Sequence, residues 1–355
     1  MLLSILSWLL AVLLSLAVLG IASLVLATLW IAAKAERLVP PVGKFIEIDG
    51  NRIHYVDQGE GRPIVFLHGL GAQLHHFRHT LFGRLGPGYR LIALDRPGAG
   101  YSVRASGATG RLTEQAETVR RFIEELRLEK PLVVGHSLGG AIALTLAVEH
   151  PETISGIALL APLTHMEADG REKFGSLYIP SRLWRWIMSY TVAIPTSLRY
   201  ARPIMEFIFA PQVLPGDYMV AAGGWLGLRP AHFYAMSSDV VAIERDLGRI
   251  EGRYGEIAMP AGILFGDADR VTRFHTQGAP MRSRIQGLDF EVVEGMGHMP
   301  QFVAPERSIR FDDRSRHIGN GAVVGQHLFQ PPQLALRQRE FLGCRSEHHR
   351  KHQWR

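Results

Sequence analysis

The sequence has no charged side chain before Lys34 and a single cysteine, Cys344, in its 355 residues. One cysteine excludes an internal disulfide framework and leaves the redox compartment open. The uncharged start excludes most of what a soluble N-terminus looks like. As a helix rising ~1.5 Å per residue, residues 1–33 would reach roughly 50 Å, more than the ~30 Å hydrocarbon core of a bilayer. A cleavable signal peptide would show a basic start and an apolar region of only ~7–15 residues, and this run has neither. The expectation is a single-pass membrane anchor over 1–33, the rival being a long buried helix of a soluble domain. Lys34, Arg37 and Lys44 follow the run and only the amino group precedes it, so the positive-inside rule places the body on the cytoplasmic side. Basic charge is also scarce where a nucleic-acid groove would need it. Of the formal net charge of +6, residues 308–355 hold nine Lys/Arg against four Asp/Glu, and the remaining body is nearly neutral. No nucleic-acid partner is expected.

Residues 34–44 read as a linker, with Val39-Pro40-Pro41-Val42-Gly43 as its stiff, non-helical part. Phe45–Ile48 and Arg52–Val56 alternate around Asp49-Gly50-Asn51, a strong hairpin signal. Continuous apolar runs follow at Pro63–Leu67, Leu91–Leu94, Leu132–Val134, Ile154–Leu160 and Ala261–Phe265, with Phe290–Glu294 as a last strand. Such runs suit strands buried on both faces of a parallel sheet. Leu112–Leu128 has helical spacing, with Thr113 as a plausible N-cap. Strands alternating with helices predict an α/β fold with a doubly wound, mostly parallel sheet.

The chemistry centres on Gly135-His136-Ser137-Leu138-Gly139, between a strand and a helical pattern over 141–149. This stretch resembles the nucleophile elbow of the α/β-hydrolase family, in which a serine on a tight strand-to-helix turn points its hydroxyl outward. The resemblance extends to His68-Gly69-Leu70-Gly71, the loop expected beside the nucleophile, and to Asp95-Arg96-Pro97-Gly98-Ala99-Gly100-Tyr101-Ser102, expected to be structural through turn hydrogen bonds of Asp95 and Ser102. It implies Ser137 as nucleophile, the backbone N–H groups of Leu70 and Leu138 as oxyanion donors, and His298 in Gly295-Met296-Gly297-His298 as base. The family's Gly-x-x-Asp pattern after the strand selects Asp269 as the acid over Asp267. The order Ser137, Asp269, His298 is that of the family. No metal or organic cofactor is implied. His75, His76 and His79 could share a helix face, but no acidic or cysteine partner lies near them in sequence. His136 reads as packed.

The expected organisation is a core over 45–162 and 256–306 interrupted by a helical cap over 163–255. The cap is rich in bulky apolar residues and divided by prolines, Pro203 among them. Most of its aromatics would pack its own core, while Trp184 and Trp186 could touch the membrane interface. From about Arg307 apolar periodicity is lost. Residues 307–355 read as a disordered tail, either a frame-shifted ending or a basic segment that clings to anionic lipid. The implied function is hydrolysis of a small apolar ester or related acyl substrate through an acyl-enzyme. Carbon–carbon bond hydrolases, cofactor-free haloperoxidases and acyltransferases share the triad, and a non-catalytic ligand-binding protein is a reading of another class. A serine at the elbow argues against epoxide hydrolases and haloalkane dehalogenases, whose motif carries aspartate there.

Overall fold

The computed structural model describes residues 2–309, except 168–171 and 173. Helix α1 (Leu2–Leu38) does not end at the first charge but continues through Lys34 and Arg37. It stops where Pro40 disfavours helical backbone at the preceding residue, so the non-helical linker starts at Val39. α1 is long and apolar enough to cross a membrane, and its most apolar window is 0% buried. Only its last turns touch the body. Ile31 and Ala35 are buried there, Thr28 Oγ1 donates to the Thr191 carbonyl at 3.0 Å, and Glu36 pairs with Arg229 at 2.8 Å.

Strands β1 (Lys44–Ile48) and β2 (Asn51–Gln58) form the expected hairpin. Asp49 and Gly50 make the two-residue turn with φ of 48° and 78°, the left-handed pair that a twisted hairpin needs. β3 (Gly61–Leu67), β4 (Gly88–Leu94), β5 (Leu132–His136), β6 (Gly156–Leu160), β7 (Ala261–Gly266) and β8 (Asp289–Val293) complete an eight-stranded sheet in the order β1-β2-β4-β3-β5-β6-β7-β8. β3 to β8 run parallel, and β2 joins β4 antiparallel. Every residue of β5, β6 and β7 is buried, because helices cover both faces.

A short helical turn α2 (His75–Phe77) and helices α3 (Leu112–Glu125) and α4 (Leu138–Glu149) provide crossovers. α3 begins one residue earlier than Thr113 as N-cap would require. Arg111 occupies the cap position, and Thr113 lies inside the first turn, its N–H and hydroxyl directed at Asp246 at 3.3 and 3.2 Å. The loop before α3 is instead held by Glu114, whose carboxylate accepts from the N–H groups of Thr109 and Gly110.

The cap lies between β6 and β7 and contains α5 (Arg182–Tyr190), α6 (Ala193–Phe209), a 3-10 turn over Gly224–Leu228 and the long α7 (Pro230–Glu251). Pro203 does not divide segments; it sits inside α6. There Arg199 and Pro203 are exposed, so water can serve the carbonyl that the ring leaves unbonded. Phe209, Tyr218, Trp225 and Phe233 form one buried cluster with Ile31, Ala35 and Val39. After β8 come α8 (Pro300–Val303) and a helical stretch over 305–309 in which Ser308 is buried. Helix therefore reaches into what reads as tail at 307–309, and the tail expectations beyond 309 lie outside the described residues.

Candidate active site

β5 delivers Ser137 onto α4 with φ 52° and ψ −119°, a region that costs a non-glycine residue about 1–3 kcal/mol and survives only where neighbours impose it. Here they do. Ser137 N–H donates to Leu160 O at 3.1 Å, and its own carbonyl accepts from Gly140 and Leu163 at 2.9 and 3.0 Å. The flanking glycines are required by close approach. A Cβ at Gly135 would lie 2.5 Å from Gly139 O, and one at Gly139 would strike the Leu67 carbonyl at the end of β3.

That contact brings the His68-Gly69-Leu70 loop against the serine. A Cβ at Gly69 would stand 3.0 Å from Ser137 Cβ. The loop is gripped from behind by Arg96, which is 2% exposed. Its guanidinium donates to the carbonyls of His68 and Gly69 at 2.9 and 3.0 Å, to Gln115 Oε1 at 2.6 Å and to Asp239 Oδ2 in α7 at 2.8 Å. His68 Nε2 accepts from Arg96 N–H at 2.9 Å, so Nδ1 carries the proton and donates to Gly69 O at 2.9 Å. Burial holds this imidazole well below its usual range, and therefore neutral. Among the described residues, the N–H groups of Leu70 and Leu138 donate to no protein acceptor.

β7 and β8 supply the other half. Asp269 is buried, and Oδ1 accepts from the N–H groups of Val271 and Thr272 at 2.7 and 2.9 Å. Its Oδ2 accepts from Thr272 Oγ1 at 2.7 Å and faces His298 Nδ1 at 2.8 Å. Asp267 is exposed and takes the Gly295 N–H at 2.6 Å, so the acid that reaches the histidine is Asp269. The cap secures the histidine loop through Gln212, which accepts from Gly297 N–H at 2.9 Å and donates to Gly295 O at 2.7 Å. The His298 ring lies 4.8 Å from that of His136, between centroids. His136 is packed, as expected, with Nε2 2.9 Å from His298 O; burial lowers its pKa well below the usual value. Ser137 thus sits one residue from a side chain that touches the histidine loop. Among the described residues its hydroxyl makes no hydrogen bond, with His298 or any other group. Such bonds often tighten only around substrate.

Asp95 is placed as expected for a structural role. Its oxygens accept from the N–H groups of Leu74 and Tyr101 at 2.8 Å each and meet His54 Nδ1 at 2.7 Å, while Ser102 Oγ donates to Asp95 O at 2.7 Å. His75 and His76 are buried, and His79 pairs with Asp217 at 3.4 Å. No cluster able to hold a metal occurs among the described residues.

Three supporting residues escaped sequence reading. Thr272 had a faint signal, a hydroxyl three residues after a buried aspartate in a turn. Arg96 stood inside a quoted motif, but its partner Asp239 is distant in sequence. Gln212 had no signal.

A family model described as "alpha/beta hydrolase fold" matches residues 62–191. The dihydrolipoyllysine-residue acetyltransferase component of the acetoin cleaving system of Cupriavidus necator is 28% identical over 73% of this chain, and the chain spans 64% of that protein. The 2-hydroxy-6-oxononadienedioate/2-hydroxy-6-oxononatrienedioate hydrolase of Paraburkholderia xenovorans is 25% identical over 74% of this chain and 91% of its own length. Among solved structures, a membrane phospholipase A described as a bacterial virulence factor superposes with a TM-score of 0.61 at 24% identity, covering 89% of this chain and 99% of that one. Sheet order, elbow and these matches agree: the chain belongs to the α/β-hydrolase fold family.

Proposed function

We propose that the protein is a serine hydrolase of ester or related acyl substrates, held at a membrane by α1. The observation that carries this reading is the buried Asp269–His298 contact of 2.8 Å beside the strained Ser137 turn. His298 Nε2 takes the Ser137 proton as Oγ attacks the substrate carbonyl. Asp269 keeps the proton on Nδ1 and stabilises the imidazolium that forms. The unengaged N–H groups of Leu70 and Leu138 receive the developing oxyanion, a contribution of about 3 kcal/mol per donor in such sites. His298 then protonates the leaving alcohol and activates the water that frees the acyl group. The cap closes an apolar environment over this end of the sheet. By the positive-inside rule, Lys34 and Arg37 put the body on the cytoplasmic side; protease added to sealed, right-side-out vesicles should leave it intact.

A fluorophosphonate probe tests the nucleophile. The wild type should label at one site, and Ser137→Ala should abolish labelling while keeping the same melting temperature. Equal, negligible labelling of both proteins would overturn the reading. Turnover of p-nitrophenyl esters of increasing chain length would then separate an esterase from a carbon–carbon bond hydrolase, a reading that the full-length match to the Paraburkholderia hydrolase keeps alive.

A further inference from the structure

Helix α5 is built inside out. Its two buried residues are Arg185 and Ser189, whereas Leu183, Trp184 and Trp186 are 66%, 61% and 55% exposed. A surface helix in water turns the opposite way, apolar face inward. The inversion is enforced by hydrogen bonds. Arg185 donates to Ile179 O at 2.7 Å, to Ser238 Oγ at 2.7 Å and to Ser237 Oγ at 3.2 Å, and Ser189 Oγ donates back to Arg185 O at 2.8 Å. With about 100° between successive residues, an inward Arg185 forces Trp184 and Trp186 to its two flanks and Leu183 nearly to the opposite face. Trp186 leans on Tyr190, 5.4 Å between ring centroids. Large exposed tryptophans on one short helix mark a surface that meets something less polar than water.

Where α5 sits identifies the occupant. The corner that joins α5 to α6 is tied to α1 by the Thr28–Thr191 hydrogen bond of 3.0 Å. Thr28 is the point at which α1 passes from full exposure to contact with the body: the residues from Leu3 to Gly20 are all exposed, whereas Thr28, Ile31 and Ala35 are buried. Trp30, 59% exposed, and Lys34, whose ammonium lies 5.1 Å above the Trp225 ring, follow within two turns. Tryptophan and lysine at the end of an apolar span are the side chains of a membrane–water interface. α5 is nine residues long, so none of its residues is more than about 14 Å along the helix from that level.

We propose that the outward face of α5, formed by Leu183, Trp184 and Trp186, inserts into the headgroup region of the same bilayer that α1 enters. The cap is then a second membrane contact, continuous with the anchor, and the site beneath it opens next to lipid. The inference rests on the proposed anchoring by α1 and is tested so that the two can fail separately.

Full-length protein lacking its one cysteine (Cys344→Ser) is reconstituted in nanodiscs of phosphatidylcholine and phosphatidylglycerol. Single cysteines at Leu13, Trp184, Trp186 and Glu129 carry an environment-sensitive fluorophore, and lipids bearing a nitroxide at the headgroup or deep in the acyl chain are the quenchers. Labels at 184 and 186 should shift to the blue and lose most emission to the shallow quencher. The label at 13 should respond to the deep quencher, and the one at 129 to neither. If 13 is quenched while 184 and 186 behave like 129, the anchor stands and the cap contact is refuted. If 13 is also silent, both fall. Blue-shifted labels at 184 and 186 that no lipid quencher reaches would mean that a protein surface covers α5, a second copy included, and would also overturn the proposal.

Discussion

Helices α4 and α5 are both short, and they obey opposite rules. Eleven of the twelve residues of α4 are buried, all small or aliphatic apart from Thr145. α5 buries an arginine and a serine and presents two tryptophans and a leucine outward. α4 has one task, to hold the elbow against the sheet, and it is stabilised by apolar area removed from water. α5 is held by directional hydrogen bonds to α7, which fix its rotation and leave its apolar face for another medium. Packing and polarity therefore report separate things in this protein: the first where the chemistry is fixed, the second which way the molecule faces.

The seam between cap and core follows the α5 rule, and the largest effect is expected there. His75 and His76 of α2 and His232 of α7 are buried at this seam; His232 Nδ1 accepts from Gly100 N–H at 3.1 Å and His76 Nε2 meets Tyr218 Oη at 3.1 Å. Burial, the chief cause in each, pushes His76 down to about 3 and His75 and His232 to about 4. In the unfolded chain these rings titrate near ~6.5. Below that pH the unfolded state binds more protons, so the contribution of the neutral rings is complete above ~6.5 and drains away as pH falls towards ~4. The slope reaches about 1.4 kcal/mol per pH unit for each ring, and about 4 for the three. Thermal melts between pH ~7 and ~4.5 should show this fall, with proteolytic cleavage first in the cap. A melting temperature indifferent to pH over that range would remove the distinction between seam and core.

Side-chain truncation sharpens the comparison directly. Leu144→Ala in α4 removes a side chain at 0% exposure and should cost about 3 kcal/mol in the global unfolding transition. Arg185→Met leaves the Ile179 carbonyl and two serine hydroxyls short of a donor and should cost about 2 kcal/mol. The loss should be local to the cap, seen as faster amide exchange over 179–190 with little change over 138–149. If both variants loosened both helices equally, cap and core would be one cooperative unit rather than two differently stabilised regions.

Sequence reading succeeded where a constraint was local. Strands buried on both faces appear as continuous apolar runs, and Gly135 and Gly139 are demanded by atoms within a few residues or one strand away. The acid was recovered from the Gly-x-x-Asp spacing carried over from the family. What was illegible depends on contacts made across the chain. The inward turn of Arg185 is decided by Ser237 and Ser238, 52 and 53 residues later. The grip of Arg96 on the loop before Leu70 depends on Asp239, 143 residues on. A nine-residue helix carrying both arginine and tryptophan can be rotated either way, and nothing within α5 says which face meets water.

The smallest effect follows from the same reasoning and is the most discriminating. If the tryptophans of α5 contributed to folding as Leu144 does, Trp184→Ser with Trp186→Ser would destabilise by several kcal/mol. Their side chains are more than half exposed, so in detergent the double variant should unfold within about 0.5 kcal/mol of the wild type. Ser181 still caps the helix through Trp184 N–H at 3.3 Å, a backbone contact that the substitution leaves in place. In vesicles the same variant should hydrolyse a soluble short-chain ester as the wild type does and a long-chain ester dissolved in the bilayer more slowly. A loss of stability in detergent comparable to that of Leu144→Ala would mean that these side chains pack within the protein after all, and that the inverted face of α5 is an ordinary part of its core.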